Sequence, residues 1–352
     1  MAATHPTTTT GVTITGPSAC SIVERRAPAA RDDFVLIKVH AAAMCNEHNA
    51  YRDGTYIWGE TPDRLGHEIA GEVIDAGRSN RVRVGDRVVA NMPFFSCGRC
   101  GHCRRGSLAY CEDAHQVDHL LPSTADVAGF AQYTLRGDWA LIPIPDDLSY
   151  RHAACALCGC GPAHAALEAM GVSCHATVLV TGLGPVGLGC VMMARARGAR
   201  VIGVGRQPYR RALAQRLGAE AVIDPDDGDP REAIRTLTRG RGVQAAIECS
   251  AQPTYLRLAI DATAVQGAIT ALGECGPIEL NVLDDLIRHG RTLHGRLDIT
   301  NAEIARVLEL FERMPNELDT YLTHSFALRD IEQAWRLQET RACGKLLIDP
   351  WA

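Results

Sequence analysis

The chain has 352 residues, is 46% hydrophobic and 22% charged, and carries a formal net charge of −5. That length suits about two domains of roughly 150 residues with a core that needs no disulfide staples, and the composition excludes disordered, collagen-like and coiled-coil chains. A mildly acidic chain without a basic stripe is a poor fit to nucleic acid, no run of about 18 apolar residues suits a membrane span, and the N-terminus MAATHPTTTTGVTITG lacks the charged and apolar regions of a signal peptide.

In chain order, residues 34–43 (FVLIKVHAAA) and 67–90 read as short strands, the latter broken by turns at Gly77–Arg78 and Gly85–Asp86. This first part is β-rich, barrel-like or sandwich-like. The pattern changes near residue 150. Residues 151–171 have helical apolar spacing, and TVLVT at 177–181 is a wholly apolar run suited to a buried parallel strand. A glycine turn and a helix to Gly198 follow, then a strand at Val201 to Val204 and a helix from Pro208 to Leu217. Further buried runs at 221–223, 244–250 and 268–273 continue the alternation. Strand–helix alternation at this spacing means right-handed βαβ units on a parallel sheet, from about 153 to 293. The tail carries helical patterns around 301–313 and 328–339 and a terminal strand, KLLID.

Of the fourteen cysteines, four fall within fifteen residues, at Cys97, Cys100, Cys103 and Cys111. Others, such as Cys155, Cys190 and Cys249, are scattered through apolar runs and read as small hydrophobes in a reducing compartment, the cytoplasm in the absence of an export signal. The cluster, with Gly98, Gly101 and Gly106 letting the loop fold back, suits a closed tetrahedral structural zinc that adds folding free energy.

Gly182-Leu183-Gly184-Pro185-Val186-Gly187 lies between a strand and a helix. The first glycine permits the tight turn, the second a close approach to a pyrophosphate and the third close helix–strand packing. The helix start at Pro185 and Val186 offers positive dipole to the phosphate, with free N–H groups from Val186 onward, Pro185 having none. Cofactor choice is expected at the end of the next strand, Val204-Gly205-Arg206-Gln207, where the acid of NAD-selective sites is missing. Gly205 leaves room, Arg206 offers a guanidinium to a 2′-phosphate, and Arg210 or Arg211 can add a second contact. The sequence therefore favours NADP(H) over NAD(H). The alternative is a solvated Arg206 in an arginine-rich chain (Lys38 and Lys345 are its only lysines) and an enzyme that takes both cofactors.

A second, dispersed set of metal-binding types comprises Cys45, His67 and Glu68 in Gly66-His67-Glu68, and Cys160 in Gly159-Cys160-Gly161; no spacing rule makes them converge. Taken with GHEIAGEV at 66–73, VRVGDRVV at 82–89, the four-cysteine loop, VLVTGLGPVGL at 178–188, ECSAQ at 248–252, THSFALRDIEQAW at 323–335 and GKLLID at 344–349, the chain resembles a zinc-dependent medium-chain dehydrogenase/reductase of the alcohol dehydrogenase type along nearly its whole length. The resemblance implies an α/β protein of two lobes. Residues 1–153 and 294–352 would form a GroES-like catalytic domain, residues 154–293 a Rossmann domain, and the active site would lie in the cleft. It further implies that Cys45, His67 and Cys160 hold a catalytic zinc, with Glu68 beside the metal and able to bind it at rest. Cys158 is a nearby alternative thiolate, but the Gly-Cys-Gly frame favours Cys160. Three protein ligands leave a position for substrate oxygen, which zinc polarises while hydride passes to or from C4 of the nicotinamide.

Where relatives read Cys-Gly-Thr/Ser-Asp-x-His, this chain reads Cys45-Asn46-Glu47-His48-Asn49-Ala50, so the usual hydroxyl relay is absent. Glu47 is expected to take the substrate proton directly, with His48 as alternative or second member; the competing reading has Glu47 bind a polar substrate group or the metal. His164 reads equally as a nicotinamide-side residue and as a packed helix histidine. Tyr51, Tyr56, Trp58, Phe94 and Phe95 fall in segments that line the cleft in relatives, or else in the core. The polar residues beside Cys45 favour a hydrogen-bonding substrate, such as a polyol, sugar or aminocyclitol, over a simple aliphatic alcohol.

The expectation is thus a cytoplasmic zinc- and NADP(H)-dependent oxidoreductase for a polar secondary alcohol or ketone. Its partner would be a small molecule, with no nucleic acid or membrane, and by resemblance it would assemble as a homodimer or homotetramer. Rival readings are an NAD-linked polyol or amino-alcohol dehydrogenase, a partner ketone reductase in a specialised pathway, and an inert nucleotide-binding relative, against which the full set of zinc-type residues argues.

Overall fold

A computed structural model describes residues 5–56, 59–91, 96–114, 120–297 and 299–352. The N-terminal part contains β1 (Thr8–Gly16), β2 (Ala19–Arg26), β3 (Phe34–Ala43), α1 (Glu47–Asp53), β4 (Glu68–Asp75), β5 (Arg87–Ala90), α2 (Gly101–Arg104), β6 (Tyr133–Gly137), β7 (Leu141–Pro143) and α3 (Tyr150–Ala154). Next come α4 (Gly161–Ala169), β8 (Thr177–Thr181), α5 (Pro185–Ala196), β9 (Arg200–Val204), α6 (Pro208–Arg216), β10 (Ala221–Ile223), α7 (Pro230–Leu237), β11 (Val243–Glu248), α8 (Pro253–Ala262), β12 (Thr263–Ala271) and β13 (Thr292–Gly295). The chain ends with α9 (Asn301–Phe311), α10 (Pro315–Tyr321), β14 (Leu322–Ala327), α11 (Ile331–Thr340) and β15 (Lys345–Asp349).

The strands form two main sheets. One is six-stranded and parallel, in the order β10-β9-β8-β11-β12-β13. Its order reverses direction between β8 and β11, which places a ligand crevice at the carboxyl ends of the strands. The fully buried runs of β8 and β9 explain the near-continuous apolar sequence there. The other sheet, in the order β14-β15-β3-β4-β5-β7 with β6 on β3, draws its first two strands from the C-terminus. A separate hairpin, β1-β2, completes the β-rich part.

Three large apolar cores result, beside two small ones around Phe34 and Leu108. Trp335 of α11, Tyr51 of α1 and Phe130 fill the one inside the β-rich lobe. A second joins α3, α4, α5 and α9 to one face of the parallel sheet, and a third lies under α7 and α8 on the opposite face. The helix α9 starts with the capping box Thr300–Glu303. Among the described residues no helix is long and apolar enough to cross a membrane.

One helix differs from expectation. The apolar spacing over 151–171 predicts a continuous helix, yet the chain turns between Cys155 and Cys160 and restarts at Gly161. Pro162 sits in the first turn of α4, where its missing N–H costs nothing, but it is incompatible with a helix running through from α3.

Candidate active site and metal centres

Strand pairing builds the first half of the site. The antiparallel ladder of β3 and β4 ends with Ala43 opposite Glu68, so Cys45, just past β3, meets His67, just before β4. Gly66 makes the approach possible: its φ is +82°, and a Cβ there would lie 2.6 Å from the Phe130 amide nitrogen. The C-terminal segment fixes Cys45 from behind. Met44 donates its N–H to the Leu346 carbonyl at 3.0 Å, and the buried Gln338 amide donates to the Cys45 carbonyl.

The turn between α3 and α4 supplies the other half, and the residue it supplies is Cys158. Cys45, His67, Glu68 and Cys158 are all buried and their donor atoms lie within 4.8 Å of one another, with the two thiols 3.4 Å apart. Cys160, expected as the third ligand, is outside this group. It caps α4, its N–H bonds the Cys155 carbonyl at 3.0 Å, and its sulfur packs in the core 3.3 Å from where a Cβ on Gly189 would stand. The two glycines that suggested Cys160 have other tasks: the Gly159 N–H donates to Glu68 Oε2 at 3.0 Å, and a Cβ on Gly161 would meet Ile299 at 2.3 Å.

Two thiols, an imidazole and a carboxylate in a dry pocket form a donor set that fits zinc. Without a cation, the Cys158 thiol and burial drive the Cys45 pKa well above its ordinary value; a bound divalent ion reverses that preference and holds the thiolate. Glu47 and Glu60 both reach His67 Nδ1, at 3.2 and 3.6 Å. Burial alone would lower the His67 pKa, but Glu47, Cys45 and Glu60 hold it well above the usual value. Carboxylates on Nδ1 fix the tautomer that leaves Nε2 for a metal.

Glu47, expected to take the substrate proton, is tied to two of the grouped residues. It is fully buried, with one oxygen on His67 and the other accepting the Cys45 N–H at 2.7 Å. His48, one residue on in α1, is half-buried, and burial together with Arg52, Arg210 and Arg341 holds its pKa at about 4. His164 is the packed histidine: its Nε2 lies 3.1 Å from Glu168, one turn along α4. Tyr51 is core, stacked on Trp335 and donating to Glu332 at 2.7 Å, and Tyr56 packs partly buried against the same core. Trp58, Phe94 and Phe95 lie outside the described residues.

The second centre is local. Cys97, Cys100, Cys103 and Cys111 bring their sulfurs within 4.8 Å of one another. Backbone N–H groups of Cys97 and Cys100 donate to the sulfurs of Cys111 and Cys97 at 3.2 and 3.3 Å. The Cys103 N–H does the same for Cys100, whose pKa falls to about 6. Such donors suit thiolates around a closed metal site.

The dinucleotide turn has the expected shape. Gly182 follows β8 with φ of +88°, and a Cβ on Gly187 would lie 1.9 Å from the Gly182 carbonyl oxygen. Nothing lies within 4 Å of a Cβ built on Gly184, and Pro185 begins α5. The same helix touches the metal-side turn: a Cβ on Gly189 would lie 2.2 Å from the Gly159 carbonyl, and the buried Tyr321 hydroxyl donates to the Pro185 carbonyl at 2.9 Å.

The cofactor-side arginines divide. Arg206, beyond β9, is 69% exposed and 3.6 Å from Asp226. Arg210 is not a second phosphate contact: its Nε donates to the Cys343 carbonyl at 3.0 Å, tying α6 to the other lobe. Arg211 is held at 2.5 Å by Asp224 and donates to the Arg206 carbonyl. Gly205 is small for packing, since a Cβ there would press on the Leu183 side chain at 3.0 Å.

Two site residues escaped the sequence reading. Glu60 carries no motif. Lys345 carries two signals, as one of two lysines in an arginine-rich chain and as the second residue of GKLLID, neither of which points to the metal site.

Comparison with known proteins agrees with this geometry. The alcohol dehydrogenase GroES-like domain family matches residues 31–146, and the zinc-binding dehydrogenase family matches residues 185–313. The chain is 32% identical to the uncharacterized zinc-type alcohol dehydrogenase-like protein YphC of Escherichia coli (strain K12), over 95% of this chain and 96% of that one. It is 36% identical to sorbitol dehydrogenase of Bacillus subtilis (strain 168), over 72% of each. The crystal structure of an alcohol dehydrogenase zinc-binding domain protein from Burkholderia ambifaria superposes with a TM-score of 0.88 at 27% identity, covering 97% of this chain and 98% of that one. Fold, donor clusters and likeness together make the chain a member of the zinc-dependent medium-chain dehydrogenase/reductase family of the alcohol dehydrogenase type, oxidoreductases that act on CH–OH groups.

Proposed function

We infer that the chain is an NADP(H)-preferring, zinc-dependent dehydrogenase of a polar secondary alcohol, working equally as a reductase of the matching ketone. The observation that carries this reading is the buried quartet Cys45, His67, Glu68 and Cys158 on a turn packed against the helix of the dinucleotide loop. In this assignment Cys45, His67 and Cys158 hold the catalytic zinc, while Cys97, Cys100, Cys103 and Cys111 hold a structural one. When bound, zinc supplies Lewis-acid polarisation of the substrate oxygen and the nicotinamide exchanges the hydride.

The chain's own residues do the rest. Glu47 and Glu60 orient His67 through Nδ1. Gly182, Gly184 and Gly187 bring backbone to the pyrophosphate, with Pro185 setting the first turn of α5 and the N–H groups from Val186 onward closing on it. Residues 154–293 act as the nucleotide-binding lobe, and residues 1–153 with 294–352 as the catalytic lobe. His48, on the same helix as Glu47 and held neutral down to about pH 4, accepts the substrate proton in place of the missing hydroxyl relay.

Exposed Arg206 supports the NADP(H) preference, because a guanidinium whose neighbours are the Asp226 carboxylate at 3.6 Å and the Tyr255 side chain stays open to a 2′-phosphate. Likeness to sorbitol dehydrogenase, with polar Asn46, His48 and Asn49 beside the zinc cysteine, supports a polyhydroxy substrate. Fourteen free cysteines suit the reducing cytoplasm. Exposed Val265, Val282, Leu283 and Ile287 near the β13 edge of the parallel sheet support a homo-oligomer.

Paired titrations test the reading. With a polyol panel, kcat/KM is expected to be higher with NADP than with NAD, and Arg206→Ala to cut the NADP preference about tenfold to a hundredfold, the worth of one charged hydrogen-bonded contact. An Arg206→Ala enzyme with unchanged preference removes the cofactor assignment, and a protein inert with every alcohol and ketone at full zinc content removes the catalytic one.

A further inference from the structure

Glu68 stands in the metal quartet by distance, yet both of its oxygens are engaged elsewhere. Oε2 accepts the Gly159 N–H at 3.0 Å, and Oε1 forms an ion pair with Lys345 Nζ. Both side chains are completely buried. Oε1 lies 4.0 Å from His67 Nε2, so the carboxylate is beside the ligand set and turned out of it.

Lys345 is rigidly mounted for this task. It opens β15, whose Leu347 pairs with Ala43 of β3 and whose Leu346 carbonyl accepts the Met44 N–H at 3.0 Å. The preceding Gly344 donates to Thr323 at 2.9 Å, and a Cβ there would press on Tyr321 backbone at 2.8 Å. The ammonium therefore cannot drift from the carboxylate without moving the strand that fixes Cys45. A buried charge left without its partner seeks another. For Glu68 deprived of Lys345, the partner within reach is the cation held by the two thiols and His67.

We propose that Lys345 is a positioning residue that keeps Glu68 out of the metal's coordination shell and so keeps one position open for substrate. This inference rests on the assignment of Cys45, His67 and Cys158 as zinc ligands. It deepens that assignment by naming what decides between an open and a closed site.

Cobalt(II) substitution reads the difference directly. The visible spectrum is recorded with and without imidazole as an added monodentate ligand. The four-cysteine centre has no open position, so the imidazole difference spectrum reports on the other centre alone. Wild type and Lys345→Arg, which keeps the charge, are expected to show the shift. Lys345→Met is expected to lose it, at imidazole concentrations that saturate wild type and at unchanged cobalt content. Lys345→Met/Glu68→Gln is expected to regain it, since the competing carboxylate is gone.

A Lys345→Met protein that keeps the full shift overturns the proposal, as does a double variant that fails to regain it. Should Lys345→Met not fold, the double variant and Lys345→Arg still decide: loss of the shift in either refutes the role. A wild type that binds both cobalt ions and shows no shift refutes it too. A wild type that takes up only one cobalt ion per chain sinks the zinc assignment itself, a distinct result.

Discussion

Replacing Cys158 and Cys160 by alanine, one at a time, separates the two thiols that the sequence leaves in competition. Cys160 is fully buried in the core beneath α5 and stands outside the donor group. Its loss leaves a void of about one water's share of volume, roughly 30 Å3. At about 24 cal/mol per Å3 this costs about 0.7 kcal/mol, on top of a transfer loss of about 0.8 kcal/mol. The sum, about 1.5 kcal/mol, lowers the melting temperature of a chain of 352 residues by about 2 °C. Zinc content should stay at about two ions per chain, with kcat/KM within about twofold of wild type. Cys158→Ala removes one of three protein ligands. Loss of an outer partner alone weakens metal binding about tenfold to a hundredfold, so loss of a ligand exceeds that. Zinc should fall to about one ion per chain and activity to background. Elemental analysis of dialysed protein, with a calorimetric scan and an activity assay, provides all three readouts. If Cys160→Ala loses the zinc and Cys158→Ala keeps it, the turn is assigned wrongly and the sequence pattern was right.

Glu47→Gln keeps the shape but gives up the charge facing His67; it should weaken zinc retention against a chelator about tenfold to a hundredfold while leaving the pH–rate profile in place, and a lost acid or base limb would restore the proton-relay role. His48 has a folded-state pKa of about 4, lowered mainly by burial. The unfolded chain binds its proton first as pH falls, so stability declines from about pH 6.5 toward pH 4, by about 3 kcal/mol at most. His48→Asn should flatten the fall in melting temperature across that window, and an unchanged slope would show that this histidine is not held neutral. Gly187→Ala places a Cβ 1.9 Å from the Gly182 carbonyl; overpacking of about 1–3 kcal/mol should weaken NADPH binding about fivefold or more by fluorescence titration, and wild-type affinity would remove the close packing from the account.

The parallel sheet was legible because each of its signals is local. The run TVLVT is buried from Val178 to Thr181, so its middle, Val178-Leu179-Val180, is apolar without alternation. The glycine fingerprint follows it without a gap, and helices start at Pro185, Pro208, Pro230 and Pro253, each where proline is tolerated. The four-cysteine loop was equally plain, since its ligands are neighbours in the chain. The helical reading of 151–171 went wrong at 155–160 because periodicity is blind to a turn whose apolar residues remain buried on every side. That turn carries both rival cysteines, Cys158 among the grouped donors and Cys160 outside them.

The dispersed centre was unreadable from spacing for a deeper reason. Cys45 and His67 meet only because Ala43 pairs with Glu68 in the β3–β4 ladder, and a slip of one residue would turn one of them to the opposite face. Cys158 arrives from a turn more than a hundred positions on, and Lys345 from the last strand, which pairs with β3 only after the whole parallel sheet has been passed. Each pairing is set by burial and hydrogen bonding far from the residues that do chemistry. The same arithmetic explains Arg210, whose arginine character suggested a phosphate while its place on α6 gave it the Cys343 carbonyl. A guanidinium bonded through its Nε to the segment before the last strand is held by that bond and less free to turn toward a ligand. Of the arginines named for the cofactor, Arg206 is the clearest test of NADP(H) choice, because Asp226, its carboxylate neighbour, is as exposed as it is.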